Sequence, residues 1–565
     1  MPTSRNLFYL AIAAALACSI YAFAAPKDKD DKPDLKFTAR SELVLIPTLV
    51  TDKSGNHITG LKKEDFTVLE NGAEQKIATF EEITSDAHRW IRPRNPNEFG
   101  NTLTGGPSAR RVTLIVLDFI NTPFAAQAYA RKDLLKYLTE SIDQREPTAL
   151  YTLTRSGVQV IHDFTTDPRV LAAALHKVKG DTFQMVDSPE EVETITGTAS
   201  PDGSAGVDPG TVQTEAQKIQ TMMEDSELNF QSFQQRLAIT YTLQAMQQIA
   251  QAFAGFPGRK SLIWASGGFP FSVSDTTMQL APAGRDSLVD VLPMYEHTWQ
   301  LLNNAGISLY PVDVKGLQTL MASAALTNPG KNYTRNMSWK QMDTQSTLQT
   351  FASMTGGRAY YNSNDLVKGF RDAVHDSAEY YMIGYYLDRS KTKSGWRKLA
   401  VKVRRDHIEV RARNGFFVTN ATTDPETSRN NDISSALQSP LDYTSIALMA
   451  HWDKIEAGKD PGKKHVNYEM HLAPDASLID DSDNNHLAID LVTVAKTPEG
   501  KQVENPMEKK MEGHLSAEKT ASIRQNGVAF KGSMDLAPGE YTVRFVVRDN
   551  LSGRVGSVAA PLRVE

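Results

Sequence analysis

Cysteine is almost absent from this sequence of 565 residues, and the single one, Cys18, lies in an apolar N-terminal segment. Outside that segment a disulfide framework and a cysteine-ligated metal site are both excluded, so stability has to come from apolar cores. An excess of basic residues is also missing, because the formal net charge is −6 and the isoelectric point is near 6.1. We therefore expect no nucleic-acid partner.

Long apolar runs are confined to the N-terminus. Arg5 precedes an almost wholly apolar stretch, Leu7 to Phe23, and the small-x-small sequence Ala22-Phe23-Ala24 ends it. These are the parts of a secretory signal peptide. We predict a signal peptide at residues 1–24, an exported protein that is periplasmic or extracellular, and no integral membrane span after signal cleavage. An uncleaved anchor and a lipid on Cys18 are open alternatives.

Motifs of common enzyme and metal-binding classes are missing. The sequence has no His-Glu-x-x-His, Gly-x-Ser-x-Gly or glycine-rich phosphate loop, and its twelve histidines show no ligand spacing. The acidic run Asp480–Asn485 resembles a calcium loop, but His486 and Val492 stand where that loop needs glycine and glutamate. We interpret the run as a solvated loop, and we predict that the protein is not an enzyme.

Alternating strand patterns and turns predict a small β unit at 36–86. From residue 110 to 418, strand and helix patterns alternate, which favours an α/β domain with a mostly parallel sheet and helices on both faces. Polar segments near 184–225 and 318–340 interrupt the alternation and are interpreted as insertions. The strands predicted between Tyr380 and Arg413 are expected to add antiparallel edges to this body.

The chain after about residue 420 is rich in Asn, Thr, Asp and Ser, which predicts a linker. From 435 to 565 the apolar residues alternate in the manner of strands, with turns at Pro538-Gly539 and Ser552-Gly553. This pattern predicts a C-terminal β-sandwich.

The most informative residues follow the buried-strand pattern Val112–Leu117. Asp118 comes directly after this run, and the chain continues Phe119-Ile120-Asn121-Thr122-Pro123. Ligands of open α/β sheets bind beyond the carboxyl ends of the strands, so Asp118 is a candidate ligand-binding residue. Thr122 before Pro123 is also a natural N-cap for the first helix, and the two roles are compatible.

The Asp118 loop resembles the metal-binding loop of the von Willebrand factor type A domain, in which Asp-x-Ser-x-Ser helps to hold a cation. The resemblance implies a doubly wound, Rossmann-like fold and a site for Mg²⁺ or Mn²⁺ with Asp118, Thr122 and Thr182 as ligands. Two positions depart from the pattern: Ile120 replaces a serine, and Ser266 stands where an aspartate is expected. The implied site is therefore degenerate.

At this degenerate site one ligand is lost, at Ile120, and one is weakened, at Ser266, and neighbouring groups are the candidates to compensate for them. Ser266 and Asn121 are candidate groups around the metal. The carboxylates of Asp181 and Asp313 are further candidates to replace the changed metal ligands.

Several longer phrases are similar to the von Willebrand factor A-related family described from acidobacteria. They are Val50–Gly55, Leu61–Val68, Asp163–Pro168, Pro257–Trp264, Thr355–Arg358 and Tyr380–Tyr385. The resemblance covers roughly residues 40–418. It implies an exported protein and no particular enzyme activity.

Together these features predict an exported binding or adhesion-type protein. The carboxyl-end loops of its von Willebrand factor A-like domain would bind a protein partner, with or without a divalent metal at the degenerate site. Two alternatives remain open. One is a secreted hydrolase with an unrecognised site among Asp118, Asp181 and Asp313, and the other is a metal-free structural envelope protein.

Overall fold

The computed structural model describes most of the chain after the predicted signal peptide. The described residues are 41–83, 97–101, 111–140, 147–178, 209–256, 258–269, 272–273, 280–281, 291–316, 345–376, 379–388, 392–418, 424–458 and 460–565. The signal peptide, residues 184–208 of the first predicted insertion, the second predicted insertion at 318–340, Asp181 and Thr182 lie outside these ranges. Within them, no helix combines the length and the apolar character that crossing a bilayer requires.

The chain forms a mixed α/β structure, and its strands and helices are numbered here in chain order. The N-terminal strands are β1 (Ser41–Asp52), β2 (Phe66–Glu70), β3 (Ala73–Gln75), β4 (Thr79–Ile83) and β5 (Glu98–Gly100). The central elements are β6 (Arg111–Asp118), α1 (Phe124–Glu140), β7 (Thr148–Thr154), β8 (Gly157–Thr165), α2 (Pro168–His176), α3 (Pro209–Phe253), β9 (Arg259–Ser266), β10 (Ser272–Val273), β11 (Leu280–Ala281), α4 (Leu292–Asn304), β12 (Ile307–Asp313), α5 (345–355) and α6 (Leu366–His375).

The remaining elements are mostly strands. They are β13 (Tyr380–Asp388), β14 (Gly395–Val403), β15 (Ile408–Arg411), β16 (Gly415–Val418), α7 (Pro425–Gln438), β17 (Leu448–Ala457), β18 (Lys464–Leu472), β19 (His486–Lys496), β20 (Met507–His514), α8 (Ala517–Asn526), β21 (Val528–Leu536), β22 (Gly539–Asp549) and β23 (Val555–Val564). Single 3-10 turns lie at Lys63–Asp65, Ala476–Leu478 and Asp481–Asp483.

The central sheet has the strand order β12-β9-β6-β7-β8, in which the first four strands are parallel and β8 is antiparallel to β7. Leu114 and Val116 of β6 pack into an apolar cluster with α3 and α4. Ile115 and Leu117 point the other way, into a cluster with α1, α2 and α6. Because successive side chains of a strand face opposite sides, the continuous apolar run of β6 is explained by helices on both faces.

The strands from β13 to β16 do not join the central sheet, so the prediction that they extend it is wrong. They pair with the N-terminal strands in two four-stranded sheets, β15-β1-β13-β4 and β16-β14-β2-β3. One buried polar group supports this pairing: Glu70 of β2 accepts hydrogen bonds from Tyr385 Oη (2.8 Å) and Arg397 Nε (2.7 Å). The predicted β unit therefore completes its sheets with strands that lie about 300 residues or more later in the chain.

The C-terminal part has two four-stranded sheets, β21-β18-β17-β5 and β20-β19-β22-β23, around a common apolar cluster. This confirms a sandwich-like arrangement there. The linker predicted after residue 420 is wrong for 425–438, which forms α7. Asp424 caps this helix by accepting a hydrogen bond from Thr427 N (3.1 Å), and Pro425 occupies its first turn. Only Ile433 and Ala436 of α7 are buried, so its sequence shows little helical periodicity.

Candidate functional site

The Asp118 loop lies at the point of the central sheet where the strand order reverses. Along the sheet, β6 has β7 on one side and β9 on the other. The chain passes from β6 to β7 and β8 on one side, and it then adds β9 and β12 on the other side of β6. The crevice between two such strands, at their carboxyl ends, is the usual ligand-binding position of an open α/β sheet. Asp118 ends β6 and Ser266 ends β9. Asp118 and Ser266, two candidate residues predicted from the sequence, therefore lie where this topology favours ligand binding.

The Asp118 carboxylate is 1% exposed and accepts five hydrogen bonds. Its Oδ1 accepts from the backbone N–H groups of Ile120 (3.1 Å) and Asn121 (3.0 Å). Its Oδ2 accepts from Asn121 Nδ2 (2.8 Å), Trp264 Nε1 (3.0 Å) and Ser266 Oγ (2.9 Å). A buried carboxylate needs such partners to offset its lost hydration, and here neutral donors from the strand β9 and from the loop after β6 supply them.

Further bonds extend this arrangement to the neighbouring elements. Thr122 Oγ1 accepts from Gly267 N (2.9 Å), which ties the loop after β6 to the loop after β9. Asn121 Nδ2 also donates to Thr242 Oγ1 (2.9 Å) on α3. The Thr122 oxygen thus serves the loop after β9 in addition to any capping of α1. We call this set the Asp118 network: Asp118, Asn121, Thr122, Thr242, Trp264, Ser266 and Gly267.

Gly267 is required by the closeness of the two loops. A Cβ atom at this position would lie 2.8 Å from the carbonyl oxygen of Asn121 and 2.9 Å from Cδ of Pro123. Contacts this short are essentially never made by a real Cβ, so a side chain here would push the loops apart. The glycine therefore lets the two strand ends share one hydrogen-bonded network.

Burial raises the pKa of the Asp118 carboxyl above its ordinary value, and the hydrogen bonds from Asn121, Trp264 and Ser266 oppose that rise. Asp313, which is paired in register with Ser266 at the end of β12, is 7% exposed. Burial raises the pKa of this carboxyl too, and the bond from Lys315 N (2.9 Å) opposes the rise. Neither Asp118 nor Asp313 faces solvent, where a substrate would reach it. This burial counts against the alternative of a hydrolase that uses these two carboxylates.

The described groups around Asp118 do not fit a bound Mg²⁺ or Mn²⁺. Four of the five hydrogen bonds come from N–H groups, which cannot serve as ligands and would repel a cation beside the carboxylate. Ile120 is 3% exposed and its side chain packs in the apolar cluster with α3. Asn121 Oδ1 is buried without a hydrogen-bond partner, but one neutral oxygen does not make a cation site.

Metal binding at Asp118, Thr122 and Thr182 therefore stays a prediction, and the contacts of the first two residues oppose it. Ser266 and Asn121, which were expected around a metal, are direct hydrogen-bond donors to Asp118 instead. Sequence reasoning missed Trp264 and Thr242. A tryptophan immediately before Ala-Ser-Gly at a strand end was the available signal for Trp264, whereas nothing local marks Thr242.

The sheet edge that carries the Asp118 network also carries two long connections of the central part. Residues 267–291 leave this edge after β9, and residues 314–344 leave it after β12. The third segment is α3, which reaches the level of the edge at Thr242 and ends near the opposite edge, where β9 begins. Since a helix rises about 1.5 Å per residue, the part of α3 before Thr242 extends roughly 50 Å beyond the edge.

No model of a known protein family matches the chain, and no curated protein matches its sequence. The likeness to the von Willebrand factor A-related family consequently rests on the short phrases quoted above.

Proposed function

We propose that this chain is an exported protein-binding protein whose contact surface is the carboxyl edge of a von Willebrand factor A-like central domain. The support for the domain type is the open mixed sheet, the helices on both of its faces and the position of Asp118 at the switch between β6 and β9. In this proposal the Asp118 network is a structural element that works without a metal ion. It fixes the relative positions of the loops that meet the partner.

One observation carries the proposal: a buried network joins the loop after β6 to two long segments at the same edge of the sheet, the connection after β9 and the helix α3. The loops after β6 and β9 are joined through Asp118, Thr122 and Gly267, and α3 is joined through Thr242. Binding residues commonly lie on loops that a rigid scaffold positions. A network that spans two strand ends and a helix is a scaffold of this kind.

The projecting part of α3 supplies an apolar contact surface. The side chains of Met222 and Phe233 are 70% and 57% exposed. They are separated by eleven residues, which is about three helical turns, so both lie on one face of the helix. Large apolar side chains in such a position are typical of protein contact surfaces. We therefore expect this face of α3 to contribute to the partner-binding surface.

We expect the variant Met222→Asp/Phe233→Asp to lose the partner. Both positions are exposed on the helix surface, so the fold should tolerate the changes, while two carboxylates in an apolar contact are costly to desolvate. The measurement is a pull-down from the cell envelope of the native host, with the full mature chain as bait. A protein that the wild type captures in the presence of a chelator should be absent with the double variant.

Tyr129→Asp is the matched control for this experiment. Tyr129 is a large apolar side chain, 65% exposed, on α1 at the opposite face of the sheet, and its replacement should leave capture unchanged. Loss of the captured protein with Tyr129→Asp, or equal capture with the double variant, would count against the proposed surface. Capture by the wild type that disappears when chelator is added would favour partner binding that requires a divalent metal at the degenerate site.

Export is part of the proposal and rests on the predicted signal peptide. Cleavage after Ala24 gives a mature chain that begins at Ala25. Mass spectrometry of the N-terminal peptide from fractionated cells tests this, and an intact Met1 peptide in a soluble cytoplasmic fraction would contradict it.

A further inference from the structure

Two histidines and an aspartate meet at one end of the C-terminal sandwich, in the sheet that contains β19 and β20. His486 at the start of β19 and His514 at the end of β20 are direct partners in the antiparallel register. Direct partners place their side chains on the same face of a sheet. The two imidazole rings are stacked, with centroids 4.9 Å apart and an angle of 13° between their planes.

Asp483 completes the cluster from the loop before β19. Its Oδ2 lies 3.0 Å from Nδ1 of His486, and its Oδ1 lies 3.4 Å from Nε2 of His514. One nitrogen from each ring and one carboxylate oxygen all lie within 4.8 Å of one another. The three donors are therefore close enough for rotations of the side chains alone, without any change of backbone, to direct them at one ion.

The loop that carries Asp483 is shaped by its own hydrogen bonds. Asp480 and His486 exchange two backbone hydrogen bonds of 2.9 and 3.1 Å, which close the loop at its base. Asn484 and Asn485 adopt left-handed backbone angles, with φ of 50° and 57°, which asparagine tolerates better than most residues. Arg524 is paired with Asp481, which leaves the Asp483 carboxylate to the two histidines.

We propose that Asp483, His486 and His514 form a binding site for a divalent transition-metal ion, with zinc as the favoured ion. Two imidazole nitrogens and one carboxylate oxygen are the donor set that zinc takes at sites with three protein ligands, where water fills the fourth position. Calcium and magnesium prefer sets made of oxygen alone. The side chains of Asp483 and His514 are 58% and 52% exposed, so an ion has a path from solvent.

A simple ion pair does not account for this arrangement. His465 and Asp535 form such a pair elsewhere in the sandwich, with 2.7 Å between Nδ1 and Oδ1, and each partner there serves the other. At Asp483, in contrast, two stacked imidazoles share one carboxylate. Two imidazole rings and one carboxylate at this distance form a donor set that a metal ion can use.

The test is a titration of Zn²⁺ into the full mature chain after removal of bound metal with chelator. We expect one equivalent to bind at micromolar concentration, and Co²⁺ to give the absorption bands of a protein-bound ion. His514→Ala and Asp483→Asn should each weaken Zn²⁺ binding at least tenfold. His465→Ala, which removes the histidine of the simple pair, should leave binding unchanged.

Far-ultraviolet circular dichroism of each variant verifies that the sandwich is folded. Both side chains that are replaced are more than half exposed, so their loss should not unfold it. Absence of Zn²⁺ binding to the wild type at 100 micromolar ion would overturn the proposal. Stoichiometric binding that survives both His514→Ala and Asp483→Asn would overturn it as well.

Discussion

Asp118→Asn is expected to lower the free energy of opening of the central sheet by about 3 kcal/mol. The change keeps the shape of the side chain but replaces one acceptor oxygen with an NH₂ group. If that group takes the place of Oδ2, it faces the N–H groups of Asn121 and Trp264. If it takes the place of Oδ1, it faces two backbone N–H groups. Either orientation leaves buried donors without an acceptor.

Hydrogen exchange followed by mass spectrometry measures this loss locally, on peptides that contain β6 and β9. Asp167→Asn is the control, because Asp167 is an exposed N-cap of α2 that accepts a hydrogen bond from Arg169 N, and asparagine caps helices equally well. Equal protection in both variants would contradict the assigned role of the Asp118 network. Strong protection of the wild-type peptides by millimolar Mg²⁺ would show instead that a cation binds there.

The position of Asp118 was predictable because its signals are local. A continuous apolar run followed by a carboxylate and a Thr-Pro pair indicates a doubly buried strand, its end and the next helix. The structure has β6 end at Asp118 and α1 begin at Phe124. What the sequence could not supply is the set of donors around the carboxylate, since Trp264 and Ser266 are separated from it by 146 and 148 residues.

The partners of the N-terminal strands were missed for the same physical reason. An alternating strand fits any sheet edge of suitable length, and only side-chain packing over the whole chain selects one. Here Phe66 and Val68 share an apolar cluster with Tyr381 and Ile383, which gives β1–β4 their neighbours. The pairing of His486 with His514 also depends on strand register, so it could not be predicted from the spacing of the histidines along the chain.

Ser266→Asp is expected to destabilise the same region more strongly, by about 4 kcal/mol at neutral pH. Ser266 is fully buried, and its Oγ lies 2.9 Å from Asp118 Oδ2, so the variant places a second carboxylate against the first. Two such groups cannot both ionise cheaply, and the pKa of the pair rises. The variant is therefore more stable at acid pH, where the two carboxyls share a proton. It loses this stability as the pH rises through the raised pKa of the pair.

Ser266→Asn separates charge from size, because asparagine has nearly the volume of aspartate without its charge. The difference between the two variants, measured by hydrogen exchange of peptides that contain β9, should grow from pH 5 to pH 8 and should not respond to Mg²⁺. No response to Mg²⁺ is expected because the N–H groups of Ile120 and Asn121 remain directed at Asp118 in the variant. Recovery of Ser266→Asp in millimolar Mg²⁺ would show that the two carboxylates bind a cation between them. A constant difference across pH would mean that the second carboxylate turns away from Asp118.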